Sequence, residues 1–255
     1  WAAAGFKAHA AMQHYRLTRD VAYLESVYPR MRANALWQER QRARTRVEAD
    51  GVRPVTYGLL PRGMGDCGLL GEDGTYYGVF LPHNIWAVYA DVLALEAAEI
   101  LGRTEDRGLL QRIVNQGRED LLRALEDGAI VEAGRRWIPG VAGRTVGSRW
   151  GALNAAFPCG LLAPDHPLIE GTIRKVESLI SPGGLPVNMG WQTDGLWVAI
   201  ALDNLAEVLL LRGEGDAAVG YLYAALNHGT PLYSWCEERG QEPGAANCSG
   251  DRQHL

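Results

Sequence analysis

The chain has 255 residues, 47% hydrophobic and 22% charged, enough apolar material for one large core in a globular protein, and we take 1–255 as a single domain. A net charge of -5, with arginines scattered through helical segments, provides no basic face for nucleic acid. The longest apolar windows, Trp197 to Leu202 and Val208 to Leu211, are interrupted by Asp203, Asn204 and Glu207, far short of the ~20 residues of a membrane-spanning helix.

The chain opens at Trp1, without methionine, inside an alanine-rich helical pattern that runs to Arg19. Asp20 then caps a second helical segment through Leu24, Val27, Met31 and Leu36, in which Pro29 predicts a kink or a break. Between Asp50 and Asn84 the periodicity gives way to a long Gly/Pro-rich loop, a length that in a compact domain usually signals function. Helix is expected from about Ile85 to Leu101, ending at Gly102, and again from Thr104 or Asp106 toward Leu125.

The next loop, Asp127 to Gly147, holds two strand-like runs at Ala129-Ile-Val-Glu132 and Arg136-Trp-Ile138, a small β-hairpin turning at Gly134. Helical pattern resumes at Ser148, breaks at Pro164 and continues from Pro167 to Ile180. After a loop from Ser181 to Thr193, helices are expected over Asp194 to Leu211 and Asp216 to Leu226, joined around Gly213. A last loop follows, and the sequence stops at Leu255 without a terminating signal. We expect a piece of a longer protein, with the remainder of that chain among its partners, and no compartment is implied.

The joints Leu17-Thr-Arg-Asp20, Leu101-Gly-Arg-Thr-Glu-Asp106 and Leu211-Arg-Gly-Glu-Gly-Asp216 repeat one device: a helix end, a tight turn and an acid opening the next helix. Antiparallel helices joined alternately by short and long connections put all short turns on one rim and all long loops on the other. If the hairpins curve into a ring, Asp66, Trp137, Trp191 and Glu237 surround one opening. The fold class expected is all-α: helical hairpins forming an (α/α) toroid, or part of an (α/α)6 barrel, with a small β-hairpin insertion.

The long-loop rim collects acids and aromatics, the mixture that carbohydrate chemistry requires. Inverting hydrolysis of a glycosidic bond needs a protonated acid and an ionised carboxylate ~6.5 to 9.5 Å apart. Asp66 with Glu237 or Glu238 satisfies the residue types. Trp86, Trp191 and Trp235 are candidate platforms for sugar C–H faces, with His83, Asn84, Asp194, Asp251 and Arg252 as candidate substrate contacts. Each has a plainer reading: Glu237-Glu238 as a solvated pair, Asp66 as a turn former between glycines, and His83 and Asp194 as helix caps. Trp1, Trp37 and Trp150 fall in helical pattern and read as core. Cys67, Cys159, Cys236 and Cys248 are widely spaced without a C-x-x-C pair, so neither a disulfide framework nor a metal site is signalled, and no cofactor is expected.

Tyr77-Gly-Val-Phe-Leu-Pro-His-Asn-Ile-Trp86 running into Ala94-Leu-Glu-Ala-Ala-Glu-Ile-Leu-Gly-Arg103 resembles the six-hairpin, (α/α)6-barrel glycosidases. So does Ser181-Pro-Gly-Gly-Leu-Pro186 leading to Thr193-Asp-Gly-Leu-Trp197. Within that superfamily the glucoamylase-like and α-L-rhamnosidase-like enzymes are the nearest in shape. The resemblance implies that Trp235-Cys-Glu-Glu-Arg239 holds a catalytic carboxylate, and that Gly65-Asp66-Cys67 stands in for a Gly-Asp-Trp loop, with cysteine in place of tryptophan. It further implies an oligosaccharide or polysaccharide substrate and a ring of twelve helices, of which about eight are legible here. Two alternatives stay open: a polysaccharide lyase using Tyr76, Tyr77 or His83 as base, and a helical-repeat scaffold that binds glycan or protein without cleaving it.

Overall fold

A computed structural model of the chain describes residues 3–65, 77–144, 151–187, 189, 196–197, 200–229, 235–236, 238–239 and 253–254. The first hairpin joins α1 (Ala3–Thr18) to α2 (Val21–Ala43). Arg19 makes the turn in a left-handed conformation (φ 58°), and Asp20 caps α2, its Oδ1 accepting from the Tyr23 N–H at 2.9 Å. Pro29 does not interrupt α2, correcting the expected break. Pro29 lies on the exposed face beside Glu25, where a carbonyl deprived of its helical N–H meets water.

The second hairpin joins α3 (Leu81–Ile100) to α4 (Thr104–Asp127) through Gly102, whose positive φ of 64° closes α3 as expected. α3 begins earlier than the expected Ile85. Pro82 suits its first turn, and the Leu81 N–H donates to the Gly140 carbonyl at 2.9 Å, an external partner for a helix whose N-cap, Phe80, has no capping side chain. His83 and Asn84 are therefore helical residues and not caps. α3 is apolar nearly all round and buried nearly all round, as its composition requires.

β3 (Ile130–Glu132) and β4 (Arg135–Trp137) form the expected hairpin, with Ala133 and Gly134 both at positive φ. It rests on α5 (Pro167–Glu177), where Thr172 Oγ1 accepts from the Ile138 N–H at 3.0 Å. The helix expected from Ser148 toward Pro164 is reduced, among the described residues, to a 3-10 turn at Ala152–Ala155. The last hairpin joins α6 (Ile200–Leu211) to α7 (Gly215–Asn227) around Gly213 at φ 77°. α6 starts later than the expected Asp194, because Leu196–Trp197 is a strand, β5.

α1, α3, the 3-10 segment and α6 pack successively side by side, and α2, α4, α5 and α7 back them, the two-layered arrangement of a toroid built from helical hairpins. One continuous cluster of buried side chains runs through it, from Ala8 and Met12 to Leu209 and Ala218. Ion pairs lace the short-turn rim: Arg16 holds Glu96 at 2.8 Å, Arg103 reaches Glu25 at 3.2 Å, and Arg212 holds Glu170 at 2.5 Å while donating to the Pro164 carbonyl. Between α2, α3 and α4 lies a buried charged core. Arg42 pairs with Asp91, whose other oxygen accepts from Gln38 Nε2 at 2.8 Å. Burial pushes the Asp91 carboxyl up, to about 6, while Arg42 and Gln38 pull it down.

Candidate active site

The long loops pair through short stretches of backbone, the first with the second and the third with the last. β1 (Gly63–Met64) pairs antiparallel with β2 (Tyr77–Gly78), closing the base of the first long loop just before α3. Phe80 bridges Val141, which joins that loop to the one carrying Trp137. β5 pairs with β7 (Glu238–Arg239), Trp197 standing opposite Glu238 and Leu196 opposite Arg239. β6 (Trp235–Cys236) pairs with β8 (Gln253–His254), Trp235 opposite His254. The segment before α6 and the segment of the Trp-Cys-Glu-Glu motif are thus neighbours, although some forty residues separate them in sequence.

Of the expected substrate contacts, three are described with their side chains, and all three lie within the first turns of α3. Asn84 ties a loop to the helix: its Oδ1 accepts from the Leu60 N–H at 2.7 Å and its Nδ2 donates to the Phe80 carbonyl at 2.8 Å. His83 is 1% exposed, its ring 5.2 Å from that of Phe80. Trp86 is 7% exposed and meets Phe6 edge-to-face at 4.4 Å, and its indole N–H donates to Asn154 Oδ1 at 3.2 Å. Gly5 of α1 lies directly against it, where a Cβ would stand 2.6 Å from the Trp86 carbonyl oxygen. Trp86 therefore packs α1 against α3, and its burial leaves little ring face for a sugar. Trp137 is likewise buried, with Lys175 Nζ 5.2 Å from its ring centroid.

Asp66, Trp191, Asp194, Glu237, Asp251 and Arg252 lie outside the described residues, and Trp235 and Glu238 are described by their strand pairing alone. Tyr76, Ser148 and Trp150 lie outside them as well.

Two residues that the pattern did not single out help to carry the rim. Asn154 Nδ2 and Asn204 Nδ2 both donate to the Phe157 carbonyl, at 3.2 and 3.1 Å, so a polar chain runs from Trp86 through Asn154 and Phe157 to α6. An amide interrupting the helical apolar pattern between Leu202 and Leu205 was the available signal for Asn204. Among the described residues no group of three or more His, Cys, Asp and Glu is arranged to hold a metal ion, and no helix is long and apolar enough to cross a membrane.

No protein-family model matches the chain, and no curated protein matches it by sequence. Solved structures do match by shape. A wild-type glycosidase is 15% identical, with a TM-score of 0.51 over 63% of this chain and 42% of that one. A glutamate-to-alanine glycosidase variant in complex with glucose is 14% identical, with a TM-score of 0.50 over 62% of this chain and 41% of that one. A second glutamate-to-alanine glycosidase variant gives 14% and 0.51 over 64% and 42%. The chain spans about two fifths of the length of these structures. At such identities the likeness is one of fold: this is a mostly-α, toroid-type, glycosidase-like fold.

Proposed function

We propose that the chain belongs to a glycoside hydrolase that cleaves oligosaccharides or polysaccharides with inversion, using two carboxylates. Glu237 or Glu238 supplies one and Asp66 the other. The observation that carries this reading is the shared fold with glycosidases, one of them in complex with glucose. The pairing of Trp197 with Glu238 supports the assignment of the acidic segment to the long-loop rim. In an inverting reaction one carboxyl protonates the leaving oxygen while the other activates a water on the far face of the sugar, which calls for a separation of ~6.5 to 9.5 Å. The acid requires a drier surrounding that raises its pKa, and the base a solvated one. The burial of His83 gives no support to its use as a lyase base.

The test is turnover by the protein with Glu237→Gln and Glu238→Gln introduced singly, on a substrate that the parent cleaves, with the anomer of the first product read by NMR. Loss of at least about 100-fold in one variant, with an inverted product, is expected. Near-normal turnover in both variants, a retained anomer, or an unsaturated product absorbing in the ultraviolet would each overturn the proposal.

A further inference from the structure

Between α2 and α3 the first long loop is gripped, residue by residue, where it sets out. Arg123 of α4 donates from Nη2 to the Tyr57 carbonyl at 2.7 Å. Gly58, at a φ of 71°, lies against the Asp120 carboxylate of α4, where a Cβ would stand 2.2 Å from Oδ2, so no side chain fits between this stem and the helix. Thr45, just past α2, brings its Oγ1 to the Leu59 carbonyl at 2.5 Å. Leu59 and Leu60 are buried, and the Leu60 N–H is taken by Asn84 Oδ1 of α3 at 2.7 Å.

Asn84 also holds the other stem. Its Nδ2 donates at 2.8 Å to the carbonyl of Phe80, the residue at which the returning chain becomes α3. One amide thus joins the outgoing and the returning stem, and between them the β1–β2 ladder sets Gly63 opposite Gly78 and Met64 opposite Tyr77. Asp66 follows Met64 by two residues in the sequence. At 2% exposure the Asn84 amide is closed to a sugar hydroxyl, so the substrate contact expected of it is not one that it can make directly. A buried polar group with satisfied partners fixes one arrangement of the elements it joins, and here those elements are the two stems of a loop.

We propose that Asn84, with Thr45 beside it, is a positioning residue: it clamps the two stems of the first long loop and so sets the base of the loop that carries Asp66. The inference rests on the reading of Asp66 as one of the two carboxylates. Misplacing a catalytic group by about 1 Å costs on the order of 10²-fold in rate, so the clamp acts on turnover and not on substrate binding.

Hydrogen exchange and kinetics on the Asn84→Leu protein test it together. Leucine keeps the site filled, so circular dichroism and the exchange of α1 and α4 should match the parent. Backbone amides of 62–65 and 77–80, on both stems, are expected to exchange at least about tenfold faster. On a para-nitrophenyl glycoside that the parent cleaves, kcat should fall at least about tenfold with KM within about twofold. In an Asp66→Asn background the same substitution should lower the residual kcat by no more than about twofold, because a residue acting through Asp66 has nothing left to position. Thr45→Val, close in shape, releases Leu59 and serves where Asn84→Leu does not fold; it should speed exchange at 62–65 and lower kcat by about threefold. Unchanged exchange of the stems in both variants would overturn the clamp, whether or not the protein is a hydrolase. A raised KM at constant kcat, or equal losses of kcat with and without Asp66, would overturn the positioning role. Full turnover by Asp66→Asn beside accelerated exchange in Asn84→Leu would instead refute Asp66 as a catalytic carboxylate, while the clamp of the stems stands.

Discussion

Trp197 and Glu238 face each other across a two-residue antiparallel ladder, and this pair ties the entry to α6 to the acidic segment near the C-terminal end. A ladder this short has no neighbouring pairs to hold it in register, so a proline, with its φ locked and its bulk at the ring nitrogen, disrupts the pairing at either position. For the hydrolysis proposed above, Arg239→Pro is expected to lower kcat/KM by at least about tenfold while shifting Tm by no more than about 2 °C, because the core helices are untouched. Val131→Pro, in the exposed β3–β4 hairpin and outside the ladder, is the control and should leave kcat/KM within about twofold. Equal effects of the two substitutions would remove the ladder from the site.

Arg42 and Asp91 form a buried pair in which one partner alone is poorly tolerated. Both side chains are almost wholly inaccessible, and Gln38 completes the carboxylate's partners. Asp91→Ala leaves the guanidinium with Glu39, at 3.5 Å, as its remaining acid, so a loss of about 3 kcal/mol in urea unfolding is expected. Replacing both together, Arg42→Met with Asp91→Leu, is expected to recover most of that loss, since desolvation of the two charges disappears with them. A double variant no better than the single one would show that the pair itself stabilises.

The parts of the fold legible in the sequence are those decided locally. The cap at Asp20, the left-handed glycines 102, 134 and 213, and the Pro167 start of α5 depend on a few adjacent residues, and each stands where the pattern put it. The misplacements come from distant partners or from surroundings. α3 starts at Leu81 because Gly140 offers a carbonyl, and Leu196-Trp197 is a strand because Glu238-Arg239 lies beside it. Pro29 is tolerated because its side of α2 faces water. The same limit applies to the site. Counting short and long connections suggested which loops meet, but whether a tryptophan packs or presents its face depends on neighbours such as Gly5 and Phe6, eighty residues from Trp86.

Asp106 links acid stability to the α2–α4 contact. Burial alone would raise its carboxyl, but the Tyr28 hydroxyl at 2.7 Å and Arg32 Nε at 2.6 Å outweigh it and hold the pKa below its ordinary value. A depressed folded-state value gives stability that is present above the unfolded pKa, about 4, and lost as pH falls through the folded one. Asp106→Asn should therefore cost about 1 to 3 kcal/mol at pH 7 and markedly less below about pH 3. Chemical denaturation at the two pH values measures the difference, and a penalty independent of pH would refute the linkage.

Two glycines on helices should respond to alanine with opposite signs, because one touches a neighbour and the other does not. A Cβ at Gly171 of α5 would stand 1.8 Å from the Arg136 carbonyl oxygen, an impossible approach to rigid backbone. Gly171→Ala must push the β3–β4 hairpin off α5, straining the Ile138 N–H to Thr172 bond and the packing of Trp137, at an expected cost of about 2 to 4 kcal/mol. At Gly108, in the exposed face of α4, the nearest atom to a new Cβ is Arg112 Nη1 at 3.9 Å, an ordinary contact with a flexible side-chain end. Gly108→Ala gains helix propensity without a clash, so stability should rise by about 0.5 to 1 kcal/mol. Thermal melts of the two variants beside the parent decide the matter: Tm must fall for Gly171→Ala and rise for Gly108→Ala, and a Gly171→Ala protein as stable as the parent would mean that the hairpin is not seated on α5.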